Sequence, residues 1–234
     1  MSTNAQGPNN GSVVRLIAVV LAIALVWNLV GNLVLPGAWY VPANLVVAGL
    51  LVGLARRSGL DNDSLALRRN HVRSGIGVGL AAMAVVAVAL ALALELRLGE
   101  GLFEDEAVLD DSTFERWFVP VVRIPLGTVV FEELLFRSVL LGALLTSMRT
   151  SRAVVSSAVA FGLWHIVPSL EGADGSTLST VGEISGIVAV TTLAGVAFAF
   201  LRLWSQSVVA PMLAHVATNT FAYVAALVAL DVLL

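Results

Sequence analysis

Long apolar stretches separated by short polar segments dominate the sequence and predict its secondary structure. A membrane-spanning helix needs about 20 apolar residues. Seven stretches approach or exceed that length, at residues 13–35, 39–55, 74–96, 124–146, 153–167, 184–203 and 207–233. The fifth is short and is expected to extend at its N-terminal end, and a re-entrant or interfacial piece around residues 114–122 would make an eighth. The pattern predicts an all-α, polytopic transmembrane helical bundle of about seven spans.

Composition supports this interpretation and excludes several classes of protein. Of the 234 residues, 58% are hydrophobic and 12% are charged, whereas soluble domains have about 45–50% apolar and about 25% charged residues. The chain has no cysteine, which excludes a disulfide scaffold, a cysteine-based zinc ribbon and a thiol enzyme. All 13 basic residues are arginine, so lysine chemistry is excluded. No basic stripe suggests binding to nucleic acid.

Polar and charged segments define the expected organisation and orientation. Residues 1–12 are polar and uncharged and are expected to be a disordered tail, followed by a single membrane domain over residues 13–234. Acidic residues occupy the loops after the third and fifth spans. Arginines lie in the alternate loops and at the end of the sixth span, at Arg56, Arg57, Arg68, Arg69, Arg73, Arg149, Arg152 and Arg202. The positive-inside rule therefore predicts that the N-terminus lies in the cytoplasm, and we expect a multi-pass protein of the plasma membrane.

Ionisable residues at membrane depth are concentrated in three short segments of the second half of the chain. These are FEELLFR at 131–137, FGLWH at 161–165 and HVATN at 215–219. An ionisable side chain at the bilayer centre costs about 2.5–3.5 kcal/mol on insertion scales, so such residues usually mark a functional site. In the first three spans, Asn28 and Asn32 are expected to be interhelical hydrogen-bond partners, and the glycines at 75, 77 and 79 to allow close helix packing.

Helical geometry separates the two adjacent glutamates. Glu133 and Arg137 have the i,i+4 spacing that favours an ion pair. The side chain of Glu132 points about 100° away from that of Glu133, so its polar partner must lie on another helix. His165 and His215 are the candidate partners. A count of about 1.5 Å per residue places Glu132, His165, His215 and Asn219 at a similar depth. We therefore expect one polar cavity that opens toward the acidic loops.

The motifs EExxxR, FxxxH and HxxxN, in this order on successive apolar helices, resemble those of the CAAX protease and bacteriocin-processing (CPBP, or Abi) family of intramembrane proteases. The resemblance covers residues 117–223 as a catalytic core, and residues 13–98 carry no motif. It implies an endopeptidase for a membrane-associated or prenylated, CAAX-like protein or peptide. By position, Glu132 and His165 would activate water, and His215 and Asn219 would stabilise the oxyanion. The remaining motif residues Glu133, Arg137 and Phe161 would support the site.

Other interpretations remain open at the level of sequence. The polar groups could be interhelical hydrogen-bond partners without catalysis, in a membrane scaffold or regulator of the same fold. A proton- or ion-coupled transporter is less favoured, because inverted repeats and paired broken helices are not evident. No cofactor is favoured, since HExxH is absent; the alternative is zinc held by His165, His215 and Glu132. The fourth, fifth and seventh spans are expected to pack together through Gly142, Ala158, Gly162 and Ala214, with the first three as a surrounding wall or lateral gate.

Overall fold

A computed structural model describes residues 10–96, 112–170 and 177–230, with side chains from residue 180 onward in the last range. Every regular element in these ranges is helical, which confirms the all-α polytopic bundle. A 3-10 turn at Arg69–His71 precedes the third helix. We number the helices α1 (Asn10–Leu33), α2 (Gly37–Arg57), α3 (Val72–Glu95), α4 (113–147), α5 (Thr150–Trp164), α6 (Ile166–Leu170), α7 (Thr177–Ser205) and α8 (Val209–Ala229).

Six helical segments of the described chain are long and apolar enough to cross a membrane. They correspond to α1, α2, the 3-10 turn with α3, the combined α5 and α6, α7 and α8. The predicted fourth span belongs to α4, which is one continuous run of helical turns but of mixed type. The predicted extension of the fifth span is confirmed, since α5 begins at Thr150.

The N-terminal end of the first helix differs from the prediction. Helix α1 begins at Asn10 rather than after Ser12, and Arg15 Nε donates a 3.2 Å hydrogen bond to the Gly11 carbonyl oxygen within this first turn. The prediction of a disordered tail is therefore wrong for residues 10–12, and its remainder lies outside the described residues. The acidic loop after α3 also lies largely outside them.

Helix α4 is the unusual element of the bundle. Its α-helical pieces, Thr113–Phe118, Val130–Glu132 and Leu141–Ser147, alternate with π-helical pieces at Val119–Val129 and Glu133–Leu140. Two prolines of the first π-helical piece, Pro120 and Pro125, lack a backbone N–H, which removes donors from the ordinary α-helical pattern. Wider π turns are often found at functional sites. Here they flank the short α-helical piece that ends at Glu132.

The second half of α4 forms the centre of the bundle. Its apolar side chains Leu135, Phe136, Val139 and Leu140 are buried, as is Arg137 between them. Helices around it expose apolar side chains instead, for example Leu50 on α2 and Leu193 on α7, as expected for surfaces that face lipid. Helix α4 therefore carries the EExxxR segment into the interior of the bundle.

Small residues allow close helix packing, but with partners that differ from the expected ones. A Cβ at Gly162 on α5 would lie against Thr192 Oγ1 and 2.8 Å from the Val188 carbonyl oxygen, both on α7. Gly142 on α4 faces the Ser64 carbonyl oxygen in the α2–α3 connection. The prediction that these glycines join the fourth, fifth and seventh spans is therefore wrong.

Close packing on α8 also involves a helix that was expected to be peripheral. Gly75 and Gly79 of α3 face Ser207 and Leu213 respectively, which confirms the packing role of these two glycines. A Cβ at Gly77 would meet no atom within 4 Å, so this third glycine does not share that role. Helix α3 thus packs directly against α8.

Candidate active site

Glu132 is buried at the level where α4, α5 and α8 meet, with the residue 5% exposed. Its Oε1 accepts a 2.9 Å hydrogen bond from Trp164 Nε1 at the end of α5. Its Oε2 lies 3.7 Å from His215 Nε2 and has no hydrogen-bond partner among the described residues. The Glu132 carboxylate therefore contacts other helices, as expected, with one oxygen held by Trp164 and the other buried without a hydrogen-bond partner among the described residues.

Glu133 makes two contacts rather than the single one expected. Its Oε1 lies 2.9 Å from Arg137 Nη1, which confirms the i,i+4 ion pair, and 2.9 Å from His215 Nδ1 on α8. The exposed fractions are 0% for Glu133, 1% for Arg137 and 2% for His215. The carboxylate of Glu133 thus serves both as counter-ion for a buried guanidinium and as the group that orients His215.

Aromatic rings enclose this charged cluster. Phe161 lies beneath the Arg137 guanidinium, with 3.9 Å from Cζ to the ring centroid, and packs edge-on against His165 and His215 at centroid distances of 4.7 and 5.7 Å. Phe198 of α7 stacks on His215 at 4.9 Å. A buried cation over an aromatic face is stabilised electrostatically. Phe161, the first residue of the FxxxH segment, therefore contacts three polar members of the site.

Hydrogen-bond chemistry assigns a tautomer to each neutral histidine ring. His215 Nδ1 faces the Glu133 carboxylate, and His165 Nδ1 lies 2.8 Å from the Phe161 carbonyl oxygen. Because carboxylates and carbonyls only accept, Nδ1 must carry the hydrogen in both rings. In a neutral ring Nε2 is then an acceptor, and Asn219 Nδ2 lies 3.3 Å from His215 Nε2.

A polar cavity of about 230 Å³ is lined by three of the four predicted catalytic residues, Glu132, His165 and Asn219. His165 is placed at its edge because α5 ends at Trp164 and the chain turns into α6. His215 contacts both glutamates but does not line this cavity. The lining residues are Trp27, Gly31, Asn32, Tyr40, Asn44, Thr128, Glu132, Trp164, His165, Pro168 and Asn219.

Helices α1 and α2 supply one wall of the cavity, in agreement with the expectation that the first helices surround the site. Trp27 Nε1 donates a 2.6 Å hydrogen bond to Asn44 Oδ1, and the Tyr40 hydroxyl lies 3.2 Å from Thr128 Oγ1 on α4. Asn28 Nδ2 donates 2.7 Å to the Trp164 carbonyl oxygen, which confirms it as an interhelical partner. Five further lining residues were not predicted from the sequence, where polarity within apolar helices was the signal that could have found them: Trp27, Tyr40, Asn44, Thr128 and Trp164.

The cavity lies toward one end of the bundle. Its α1 residues are near the C-terminal end of that helix and its α2 residues near the N-terminal end. The arginine-rich connection between α2 and α3 is at the opposite end. This position agrees with the expected displacement of the site toward the acidic loops, although the orientation of the chain in the membrane stays a prediction.

The residues named as alternative zinc ligands do not form a metal-binding group. In the part of the chain that the structure describes, no group of three or more His, Cys, Asp or Glu side chains could hold a metal ion. His215 Nδ1 bonds to the Glu133 carboxylate, and His165 Nδ1 bonds to a backbone carbonyl. The donor set therefore does not fit the predicted site of His165, His215 and Glu132.

Comparison with known proteins adds one finding. A family model described as type II CAAX prenyl endopeptidase Rce1-like matches residues 114–221. This range runs from the first turns of α4 into α8 and includes all three motif segments. Comparisons with curated proteins and with solved structures gave no match.

Proposed function

We propose that this chain hydrolyses a peptide bond with Glu132 as the general base. Residues 114–221 match the family model of the Rce1-like type II CAAX prenyl endopeptidases, and this match implies a multi-pass membrane protease that acts on membrane-associated substrates. The observation that carries our proposal is the buried Glu132 carboxylate, with Oε1 held by Trp164 and Oε2 without a partner among the described residues. This oxygen is available to bind and deprotonate a water molecule.

Water activation would use Glu132 together with His165. The neutral ring of His165 donates through Nδ1 to a carbonyl, so its Nε2 can accept a hydrogen bond from the attacking water. Glu132 takes the other proton as the water oxygen bonds to the scissile carbonyl carbon. When the carbon–nitrogen bond breaks, the proton passes from Glu132 to the departing amine.

Oxyanion stabilisation would come from Asn219, supported by His215. Asn219 Nδ2 carries two hydrogens, of which one can satisfy His215 Nε2 and the other can point to the oxyanion. His215 itself can donate from Nε2 only when both ring nitrogens are protonated, since Nδ1 donates to Glu133. Preorganised donors of this kind lower the barrier where negative charge develops.

An apolar groove beside the cavity supports a lipid-modified substrate. It occupies about 750 Å³ between α1 and α2, and Trp27 lines both it and the polar cavity. A prenyl chain in this groove would lie next to the peptide bond presented to Glu132. Because lipid-facing Leu50 lines the groove, a prenyl chain would be held there by packing contacts rather than by transfer from water, and these contacts would favour prenylated over unmodified peptides.

Filling the groove is expected to weaken recognition of a prenylated substrate specifically. A Cβ at Gly53 meets no atom within 4 Å, so Gly53→Leu should fold and occupy the groove. We expect KM for a farnesylated CAAX peptide to rise about tenfold, since loss of two buried methylene contacts costs about 1.6 kcal/mol. Hydrolysis of this peptide by purified protein in nanodiscs, against the unprenylated peptide, measures the effect.

The matched control is Gly77→Leu on α3, where a Cβ also meets no atom within 4 Å and which lies outside the groove. This variant should leave KM unchanged. An equal rise in KM in both variants, or for both peptides in Gly53→Leu, would contradict the groove assignment. Complete failure of the native protein to hydrolyse either peptide would contradict a CAAX-type substrate.

Catalysis is expected to proceed without a bound metal ion. Exhaustive chelation should leave the hydrolysis rate unchanged, because Glu132 and His165 supply the proton transfers themselves. Elemental analysis of the purified protein should find little zinc. Loss of activity on chelation, recovery on adding zinc and a near-stoichiometric zinc content would together contradict this mechanism.

A further inference from the structure

A second polar cavity lies at the opposite end of the bundle from the candidate active site. It has a volume of about 420 Å³ and shares no lining residue with the first. It forms where the α2–α3 connection meets the turn between α7 and α8. Its lining residues are Asp63, Ala66, Arg68, His71, Arg202, Leu203 and Gln206.

Arg202 is the central feature of this cavity. Its side chain is buried, with the residue 6% exposed, and Nη2 donates a 2.5 Å hydrogen bond to the Ser64 carbonyl oxygen. Its Nε has no partner, and no carboxylate of the described residues lies within ion-pair distance of it. A buried guanidinium without a counter-ion is costly, so this cavity is suited to an anion.

Nearby acidic residues are already engaged elsewhere. Asp63 forms an ion pair with Arg68. Asp61 accepts hydrogen bonds from the backbone N–H and hydroxyl of Ser64, which hold its pKa below the usual value. Against these two carboxylates the same end of the bundle carries an excess of guanidinium groups, at Arg56, Arg57, Arg68, Arg69, Arg73 and Arg202.

Two residues in left-handed backbone conformations line the cavity. Ala66 and Gln206 both line it and both have left-handed conformations, with φ of 53° and 55°. The Val208 N–H donates a 3.1 Å hydrogen bond to the Ala66 carbonyl oxygen, which joins the two connections. Non-glycine residues adopt such conformations rarely and only where the surrounding structure holds them.

The position of the cavity corresponds to the membrane surface. It lies at the end of the α7 span, which reaches Ser205, and the neighbouring Trp204 is 78% exposed. Exposed tryptophans at span ends typically sit among lipid headgroups. The position of Arg202 at the depth of the lipid headgroups therefore favours an anion that belongs to a lipid over a soluble anion.

We propose that the cavity around Arg202 binds the phosphate group of an anionic phospholipid. Guanidinium groups match phosphate oxygens in geometry and charge, and basic pockets between helices near the membrane surface bind anionic headgroups. Arg202 would be the buried anchor, with Arg68 and His71 at the rim. This site is independent of peptide hydrolysis and would stabilise the junction between the two connections.

Thermal unfolding of the purified chain in a neutral detergent tests this proposal. Added dioleoylphosphatidylglycerol should raise the unfolding midpoint by about 5 °C, whereas dioleoylphosphatidylcholine and inorganic phosphate should not. Gln206→Glu should abolish most of the rise, because it places a negative charge in the cavity without removing a folding contact. Arg202→Gln should also abolish most of the rise. If Arg202→Gln does not fold, Gln206→Glu alone tests the site.

Arg149→Gln is the matched control, since it changes the net charge by the same amount and lies on an exposed turn outside the cavity. It should retain the full rise. An equal loss in Arg149→Gln, or a full rise in Gln206→Glu, would overturn the site. A rise with phosphatidylcholine would indicate general lipid solvation, and a rise with inorganic phosphate would indicate a soluble ligand; either result would overturn the assignment to an anionic lipid.

Discussion

Glu132→Gln is expected to reduce peptide hydrolysis by about 10²–10⁴-fold, the range typical for loss of a general base. Glutamine has the size of glutamate, and its amide oxygen can still accept the hydrogen bond from Trp164 Nε1. The variant should therefore keep its unfolding midpoint while kcat falls. Initial rates in nanodiscs, with thermal unfolding of the same preparation, measure both quantities.

Glu183→Gln provides the matched control, because Glu183 is an exposed glutamate on α7 away from the cavity. It should keep both the rate and the midpoint. An active Glu132→Gln variant would remove the general-base assignment, and an inactive Glu183→Gln variant would show that the assay responds to charge rather than to the site.

Glu133→Ala is expected to destabilise the protein rather than only inactivate it. It leaves the Arg137 guanidinium buried without its counter-ion and removes the partner of His215 Nδ1. Breaking a buried ion pair by removing one member costs about 3–5 kcal/mol. We therefore expect a markedly lower unfolding midpoint and a lower yield from the membrane, measured against the native chain in the same detergent.

A double variant separates the two roles of Glu133. In Glu133→Leu with Arg137→Leu both charges are replaced by apolar side chains, a change that is often neutral or stabilising for a buried pair. Stability should recover relative to Glu133→Ala, but hydrolysis should not, because His215 remains without its orienting carboxylate. An unchanged midpoint in Glu133→Ala, or an active double variant, would contradict this division of roles.

The charged part of the site could be predicted because its geometry is local. The i,i+4 spacing of Glu133 and Arg137 defines an ion pair on any helix, and the structure contains it. The approach of Glu132 to His215 followed from the need of each buried polar group for a partner. The second partner of Glu133 was not predicted, since the rotation of α8 that turns His215 toward it depends on packing against α3 through Gly75 and Gly79.

The other differences between the predicted and the observed site arise from interactions between distant parts of the chain. Tyr40 and Asn44 contribute to the cavity only because α2 packs against α4, and a polar residue in an apolar helix does not identify its partner. Likewise, Gly142 indicates close packing but does not reveal that the α2–α3 connection supplies Ser64. The π-helical turns of α4 required tertiary structure too, since prolines predict an interruption but not its form.

The most direct test of the central claim is peptidomics of cells that carry the native chain, the Glu132→Gln variant or the Glu183→Gln control at equal levels. Membrane-bound and released peptides are sequenced to identify new termini. We expect a set of cleaved membrane-associated substrates in cells with the native chain and with Glu183→Gln, and the uncleaved forms in cells with Glu132→Gln. Identical termini in all three, with equal amounts of each protein in the membrane, would contradict a protease that depends on Glu132.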